Sequence, residues 1–192
     1  MARPKEFDRD SALQKAVEVF CDHGYDGTST EELLRAMDIS RQSLYDTFGD
    51  KRQLYLQALQ QYLADSIGEQ IRALNSSPSS LKAVEAMLHA FVAKAGGAEA
   101  RGCLGIGATC EFGVADREVM ALIITADKTL QSSLERRINE GKNAGEIGAD
   151  IDARAAAQFI KATFLGIKVA ARGGAPADAL RNIARMAVRS LK

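Results

Sequence analysis

The chain has 192 residues, 46% of them hydrophobic, and sets 25 Lys and Arg against 25 Asp and Glu for a formal net charge of zero. That length supports one large or two small domains with a sizeable core, and the charge balance excludes binding through bulk charge alone. No apolar h-region follows the charged start and no apolar run approaches the ~18 residues of a span, so neither a signal peptide nor a membrane helix is expected.

Alternating Val/Ile/Thr runs are lacking while Ala, Leu, Glu, Lys and Arg abound, so the expected fold class is all-α. Cys21, Cys103 and Cys110 are odd in number and lack metal-ligand spacing, which fits a reducing, cytoplasmic setting. Arg3, Lys5 and Arg9 make a basic N-terminal arm. Leu13, Ala16, Val17 and Phe20 then recur at i, i+3, i+4, i+7, the stripe of an amphipathic helix over 8–23 that Gly24 closes.

Residues 28–51 contain three helix starts. Thr28 with Glu31, or Ser29 with Glu32, supplies a capping box. Ser40 caps a second helix that Gly49 stops after Phe48, and Asp50, three residues before Gln53, caps a third. At each start, unpaired backbone N–H groups point outward toward any anion. Two short helices joined by the tight Met37-Asp38-Ile39 turn read as a helix-turn-helix for the DNA major groove. Leu33, Leu34, Met37, Ile39, Leu44 and Phe48 complete a small core that must lean on the helix from Lys51.

The second short helix begins with Ser40, Arg41, Gln42 and Ser43. An Arg there pairs bidentately with guanine and a Gln with adenine. Lys51, with Thr28, Ser29 and Thr30, offers helix-start amides to phosphate, and Arg52 stands beside it. Residues 1–55 nonetheless hold eight basic against eleven acidic groups, a net of −3, so non-specific binding should be modest and strongly salt-dependent.

A long helix is expected over 51–75, with Leu54, Ala58, Leu59, Leu63, Ile67, Ile71 and Leu74 on its apolar side. Ser77-Pro78 fits an N-cap with proline at the first helical position, opening a helix to Lys94 before a bend at Gly96-Gly97. Helices at 103–113 and 116–141 follow, the latter ended by Gly141. A loop over 143–152 leads to Asp152 as the next cap, and helices at 152–172 and 176–191 are broken by Gly173-Gly174-Ala175-Pro176. Ala155, Ala162, Gly166 and Ala170 lie close together, flanked by Phe159 and Ile160, and the last helix offers Leu180, Ile183, Ala184, Ala187 and Leu191. Small residues admit a close neighbouring helix. Packing within the chain is one reading. The favoured one is a two-fold interface through Ala155, Phe159, Ala162, Gly166, Ala170, Ile183 and Ala187, because paired reading helices about 34–36 Å apart bind where one is too weak.

The runs Val-Phe-Cys-Asp-His-Gly-Tyr-Asp-Gly-Thr-Ser (19–29), Ile-Ser-Arg-Gln-Ser-Leu-Tyr (39–45) and Phe-Gly-Asp-Lys (48–51) resemble the tetracycline-repressor (TetR/AcrR) family of bacterial transcription regulators. Beyond them the chain matches in length and helical character, plus Arg-Gly-Cys-Leu (101–104). The resemblance implies a three-helix DNA-binding domain at 1–50 and, at 51–192, a helical bundle for effector binding and dimerisation. It implies three partners, double-stranded operator DNA, a second copy of the chain and a small-molecule effector, and no cofactor. Tyr45 and Thr47 become phosphate contacts, although Asp46 and Thr47 stand where the family commonly has an aromatic and a histidine. An effector pocket between the C-terminal helices has Met87, Phe91, Cys103, Ile106, Phe112, Met120, Ile123, Ile124 and Phe164 as its candidate lining, against an ordinary core role for each. Glu111 and His89 are the exceptional charged groups there, so an apolar or neutral effector is expected. The implied function is a ligand-responsive repressor whose effector shifts the 51–75 helix and spoils the fit of two reading heads to a pseudo-palindromic operator.

Other readings remain. Cys103 and Cys110 are seven residues apart, about 10 Å along a helix and too far for a disulfide, so they read first as small buried hydrophobes. A thiol-based electrophile or redox sensor at Cys103, with Arg101 nearby, is the sharper alternative. A helical ligand carrier would explain residues 77–192 but not 28–51. No nucleophile–base pair, phosphate loop or metal spacing points to an enzyme, and His23 and His89 lie in helical stretches, so no catalytic or metal-binding residue is assigned.

Overall fold

The computed structural model describes residues 7–95 and 102–192, which form nine helices and no strand. In chain order they are α1 (Arg9–His23), α2 (Thr30–Met37), α3 (Arg41–Phe48), α4 (Lys51–Leu74), α5 (Ser80–Ala95), α6 (Leu104–Phe112), α7 (Arg117–Asn143), α8 (Ala153–Arg172) and α9 (Ala177–Arg189). The fold class is all-α, as the composition required. Among the described residues, no helix is long and apolar enough to cross a membrane.

The described residues divide into two compact units, one within Met1–Ala64 and Arg101–Ile124, the other within Asp65–Ala100 and Thr125–Lys192. The first unit is built on α1, α2, α3 and the start of α4. Asp8 caps α1 by accepting from the Ser11 amide at 2.6 Å. Its buried stripe, Leu13, Ala16, Val17 and Phe20, meets Leu33, Met37, Leu44, Phe48, Leu54 and Leu59. Tyr55 is the largest fully buried side chain there and lies edge-on to Phe20 and Tyr25 at 5.0 Å between centroids. Phe112 of α6 adds a tilted ring 5.4 Å from both Tyr25 and Tyr55. The sequence stripe through Leu54 and Ala58 passed over Tyr55. Its phenol has no hydrogen-bond partner among the described residues, and burial pushes its pKa well above the ordinary tyrosine range.

In the second unit α5, α8 and α9 pack against one another. Val84, Met87, Leu88, Leu134, Ile138, Ile160, Phe164, Ile167, Leu180 and Ala184 fill the core between them and α7. Two expected boundaries move. Helix α5 starts at Ser80, not Pro78, because Ser79 is the cap, its hydroxyl accepting from the Lys82 amide at 3.3 Å. Glu146 completes that start by accepting from the Ser79 hydroxyl (2.8 Å) and the Leu81 amide (3.1 Å). Helix α7 runs through Gly141 to Asn143. Glycine stands there for space: a Cβ would come within 2.7 Å of Ile147 Cδ1 and 2.8 Å of Ser80 Cβ. Asp152 caps α8 as expected, accepting from the Ala155 amide at 2.7 Å.

The proposed pairing face needs correction on α9. Ala187 is buried in the unit's own core, with Leu180, Ala184 and Leu191, and Ile160 of α8 is likewise internal. Helix α8 has two apolar faces, and Ala156, Ala157, Ile160, Phe164 and Ile167 form the internal one. Ala155, Phe159, Ala162 and Gly166 lie on the exposed one, Ala170 is half-buried, and Ile183 is exposed. Leu165 and Val169 of α8 and Met186 of α9 extend this surface, Val169 being 57% and Met186 62% exposed. The sequence reading omitted all three.

Candidate nucleic-acid interface

Ser29, the N-cap of α2, accepts from the Glu32 amide at 3.2 Å while the Glu32 side chain returns to the Ser29 amide, the reciprocal capping box. The alternative box at Thr28 does not form. Thr28 is only 2% exposed and its hydroxyl donates to the Gly24 carbonyl at 2.6 Å, so it is turned inward and withdrawn from phosphate. Helix α2 ends at Asp38, whose φ of 57° is left-handed, a conformation that short polar side chains tolerate. That single residue folds the chain back so that Ser40 can cap α3, its hydroxyl oxygen 3.1 Å from the Ser43 amide and 2.9 Å from the Ser43 hydroxyl.

Leu44 and Phe48 are buried on one side of α3 and anchor it. Arg41, Gln42, Tyr45 and Asp46 are exposed, with Tyr45 half so at 50%, while Ser43 and Thr47 are half-buried. The first turn of a short, rigidly seated helix therefore projects two side chains able to read base edges and an aromatic hydroxyl beside them. Thr30 is half-buried at the start of α2. Lys51, at the start of α4, places its ammonium 4.3 Å from the Tyr25 ring centroid, a cation–π contact beside the α4 amides.

Arg41, Arg9 and Arg52 each already have partners within the chain. Arg41 Nη2 meets Glu31 Oε1 at 2.5 Å, and Gln42 Nε2 donates to Asp46 Oδ1 at 2.8 Å. The Glu31 carboxyl is held below the ordinary carboxylate range by its own backbone amide and then by Arg41. Arg9 donates to Gln57 Oε1 at 2.5 Å and lies 5.3 Å from the Phe48 centroid. Arg52, expected to face phosphate, instead bridges to Asp116 (2.6 Å) and Glu118 (3.3 Å) and lies over Phe112 at 5.2 Å. Arg3, Lys5 and Arg101 fall outside the described residues.

The support for this unit comes from a distant stretch of the chain. Glu111 of α6 accepts from the Tyr25 amide at 3.0 Å and the Asp26 amide at 3.3 Å. Gly24, at φ +73°, lies so close that a Cβ would come within 2.5 Å of Glu111 Oε1. Asp116 accepts from the Glu118 and Val119 amides at the start of α7; the Val119 bond and then Arg52 keep its carboxyl below the ordinary range. The sequence places Glu111 beside an effector pocket, whereas its bond to the α1–α2 turn, 86 residues upstream, has no local sequence signal.

The expected effector lining divides between the two units. Met87 and Phe164 are core side chains of the second. Phe112 and Ile123 pack on the core of the first, Phe112 within the aromatic cluster, so it is structural and not a free lining residue. Cys103, Ile106 and Met120 are half-buried and Ile124 is exposed in the first unit's share of the chain. The Phe91 side chain lies outside the described residues. His89 pairs with Glu85 at 3.8 Å, and His23 with Glu32 at 3.4 Å. Cys103 occupies the N-cap position of α6 and Cys110 is exposed; neither is in a disulfide.

Both parts of the chain are similar to known bacterial regulators. Residues 12–58 match the family described as bacterial regulatory proteins, tetR family, and residues 80–187 match the tetracyclin repressor-like C-terminal domain. The chain is 33% identical over 184 residues to the uncharacterized HTH-type transcriptional regulator YezE of Bacillus subtilis (strain 168), covering 95% of each. It is 26% identical over 189 residues to the HTH-type transcriptional repressor ComR of Escherichia coli (strain K12), covering 97% of this chain and 90% of that one. Among solved structures, a cysteine mutant of the TetR family regulator CifR, complexed with 26-bp double-strand operator DNA, superposes with a TM-score of 0.85 at 30% identity over 100% of both chains.

Proposed function

Because the chain belongs to the tetR family of bacterial regulatory proteins, and is thus a DNA-binding transcriptional regulator, we propose that it is a homodimeric repressor released from a pseudo-palindromic operator by a small molecule. The observation that carries this reading is α3: capped by Ser40 and anchored by Leu44 and Phe48, it presents Arg41, Gln42 and Tyr45 to solvent. Arg41 and Gln42 read bases, each worth about 1–3 kcal/mol of discrimination. Ser29, Thr30, Ser40, Ser43, Tyr45, Thr47 and Lys51 set register on the phosphates.

Dimerisation is supported by the exposed apolar surface of α8 and α9, Phe159, Leu165, Val169, Ile183 and Met186, in which Ala162 and Gly166 leave room for a close helix. Release is supported by α4, which contributes residues to both units, so a molecule bound in the second unit has a continuous helix through which to act on the first. The sign of regulation follows ComR, a named repressor, while another relative, FasR of Mycolicibacterium smegmatis, is a named activator.

The test has two parts. The purified protein is used to enrich duplexes from a random library, and retention of the enriched duplex is compared for Arg41→Ala and Tyr45→Ala; unchanged retention refutes α3 as the reader. A reporter carrying that duplex over its promoter then gives the sign, and transcription that rises with the protein refutes repression.

A further inference from the structure

Arg9, Arg41 and Arg52 are each held by a carboxylate: Asp10, Glu31 and the pair Asp116 and Glu118, respectively. Lys51 is held differently. Its ammonium lies 4.3 Å from the Tyr25 ring centroid and, among the described residues, meets no carboxylate. An aromatic face attracts a cation without neutralising it, and the N–H donors on the outer side of the ammonium stay free. Asp50, beside Lys51 in sequence, accepts from the Gln53 amide at 2.8 Å and so caps α4. The ring is itself fixed. Glu111 accepts from the Tyr25 amide through both carboxylate oxygens, at 3.0 and 3.1 Å. Tyr55 and Phe112 flank the ring at centroid distances of 5.0 and 5.4 Å.

We propose that Tyr25 is a positioning residue for DNA binding: its ring face seats the Lys51 ammonium where a backbone phosphate meets it together with the amides at the start of α4. The inference rests on that helix start contacting the DNA backbone. A free lysine side chain must be ordered when it grips a phosphate, and one already seated on a ring has lost part of that freedom beforehand. The seated lysine breaks no contact on binding, because ring and phosphate can occupy opposite sides of the ammonium. An arginine whose donors already meet a carboxylate has no such advantage. The gain is bounded by the strength of the cation–π contact, about two- to fivefold in affinity for each subunit bound.

The experiment measures affinity of the full chain for the duplex it enriches from a random library, across a series of salt concentrations. At position 25 the series is Tyr25→Phe and then the difluoro and trifluoro analogues of that phenylalanine, which keep the ring's shape while draining the negative charge of its face. Each is made with Lys51 intact and in the Lys51→Gln background. With Lys51 intact, Tyr25→Phe should bind within about twofold of the parent chain, and fluorination should weaken binding stepwise, to about two- to fivefold for each subunit. With Lys51→Gln the fluorinated series should be flat. A flat series with Lys51 intact overturns the inference. So does an equal decline in both backgrounds, since the ring then acts only through the fold. Lys51→Gln alone should lower the slope of log affinity against log salt by about 0.9 for each subunit. An unchanged slope and affinity remove the phosphate contact of Lys51 itself, whereas a lowered slope with a flat fluorinated series removes only the role of Tyr25.

Discussion

Gly166→Ala separates a helix that serves only its own subunit from one that forms a seam between two. Gly166 lies on the exposed face of α8, and an added Cβ meets nothing within 4 Å in its own chain. In a lone subunit the substitution should therefore stabilise by the propensity difference between glycine and alanine, about 0.8–1 kcal/mol. For a chain of this length that is a rise of about 2–4 °C in Tm. If a partner helix crosses at Gly166, the extra methyl overpacks the crossing by about 1–3 kcal/mol, and symmetry applies it twice. The interface loss then exceeds the helix gain, and the dimer should dissociate at least tenfold more readily. Gly107 of α6 is the control, being helical with nothing within 4 Å of a Cβ and remote in sequence from the pairing face. Sedimentation equilibrium gives the dissociation constant, and urea unfolding at two protein concentrations separates folding from association. Equal stabilisation by Gly166→Ala and Gly107→Ala, with an unaltered dimer constant, would refute a seam across Gly166.

Gly141→Ala should lower stability by about 1–2 kcal/mol despite the better helix former, because Ser80 Cβ is too near its backbone to yield; a rise in the urea midpoint contradicts this. Tyr55→Phe removes a buried hydroxyl that has no partner among the described residues and keeps the ring stack, so it should be neutral or stabilising by about 1 kcal/mol; a loss of that size would show the hydroxyl is satisfied. Glu146 has a carboxyl held below its ordinary range by the Leu81 amide first and the Ser79 hydroxyl next. Its contribution is therefore present above the ordinary glutamate pKa and lost as pH falls through the depressed value. Thermal melts of wild type and Glu146→Gln should converge on acidification, and parallel melts would count against the interaction.

Much of the fold was legible because helix starts are local. Asp8, Ser29, Ser40, Asp50 and Asp152 cap helices a few residues downstream, and period alone identified the buried stripe of α1. The reading of α3 as a projecting helix rested on the same short-range signals. What escaped depended on distant partners. Gly141 looked like a terminator because the side chains of Ser80 and Ile147 that demand its smallness are not its sequence neighbours. Thr28 and Ser29 were equivalent cap candidates until the Gly24 carbonyl claimed the Thr28 hydroxyl. Helix α8 shows small residues on two faces, and nothing in its own sequence says which one the rest of its unit will cover. The pairing of Arg41 with Glu31 joins two helices across a left-handed residue that the sequence only hinted at.

The Glu111 bond to the Tyr25 and Asp26 amides means that the minimal independently folding reader is discontinuous in sequence. A fragment ending at residue 58, where the N-terminal family match stops, would lose the acceptor for two amides, the Phe112 lid over Tyr25 and Tyr55, and both acids that neutralise Arg52. Grafting residues 12–58 onto another scaffold should thus yield an aggregation-prone module, whereas a graft that also carries 102–124 keeps the aromatic nest roofed.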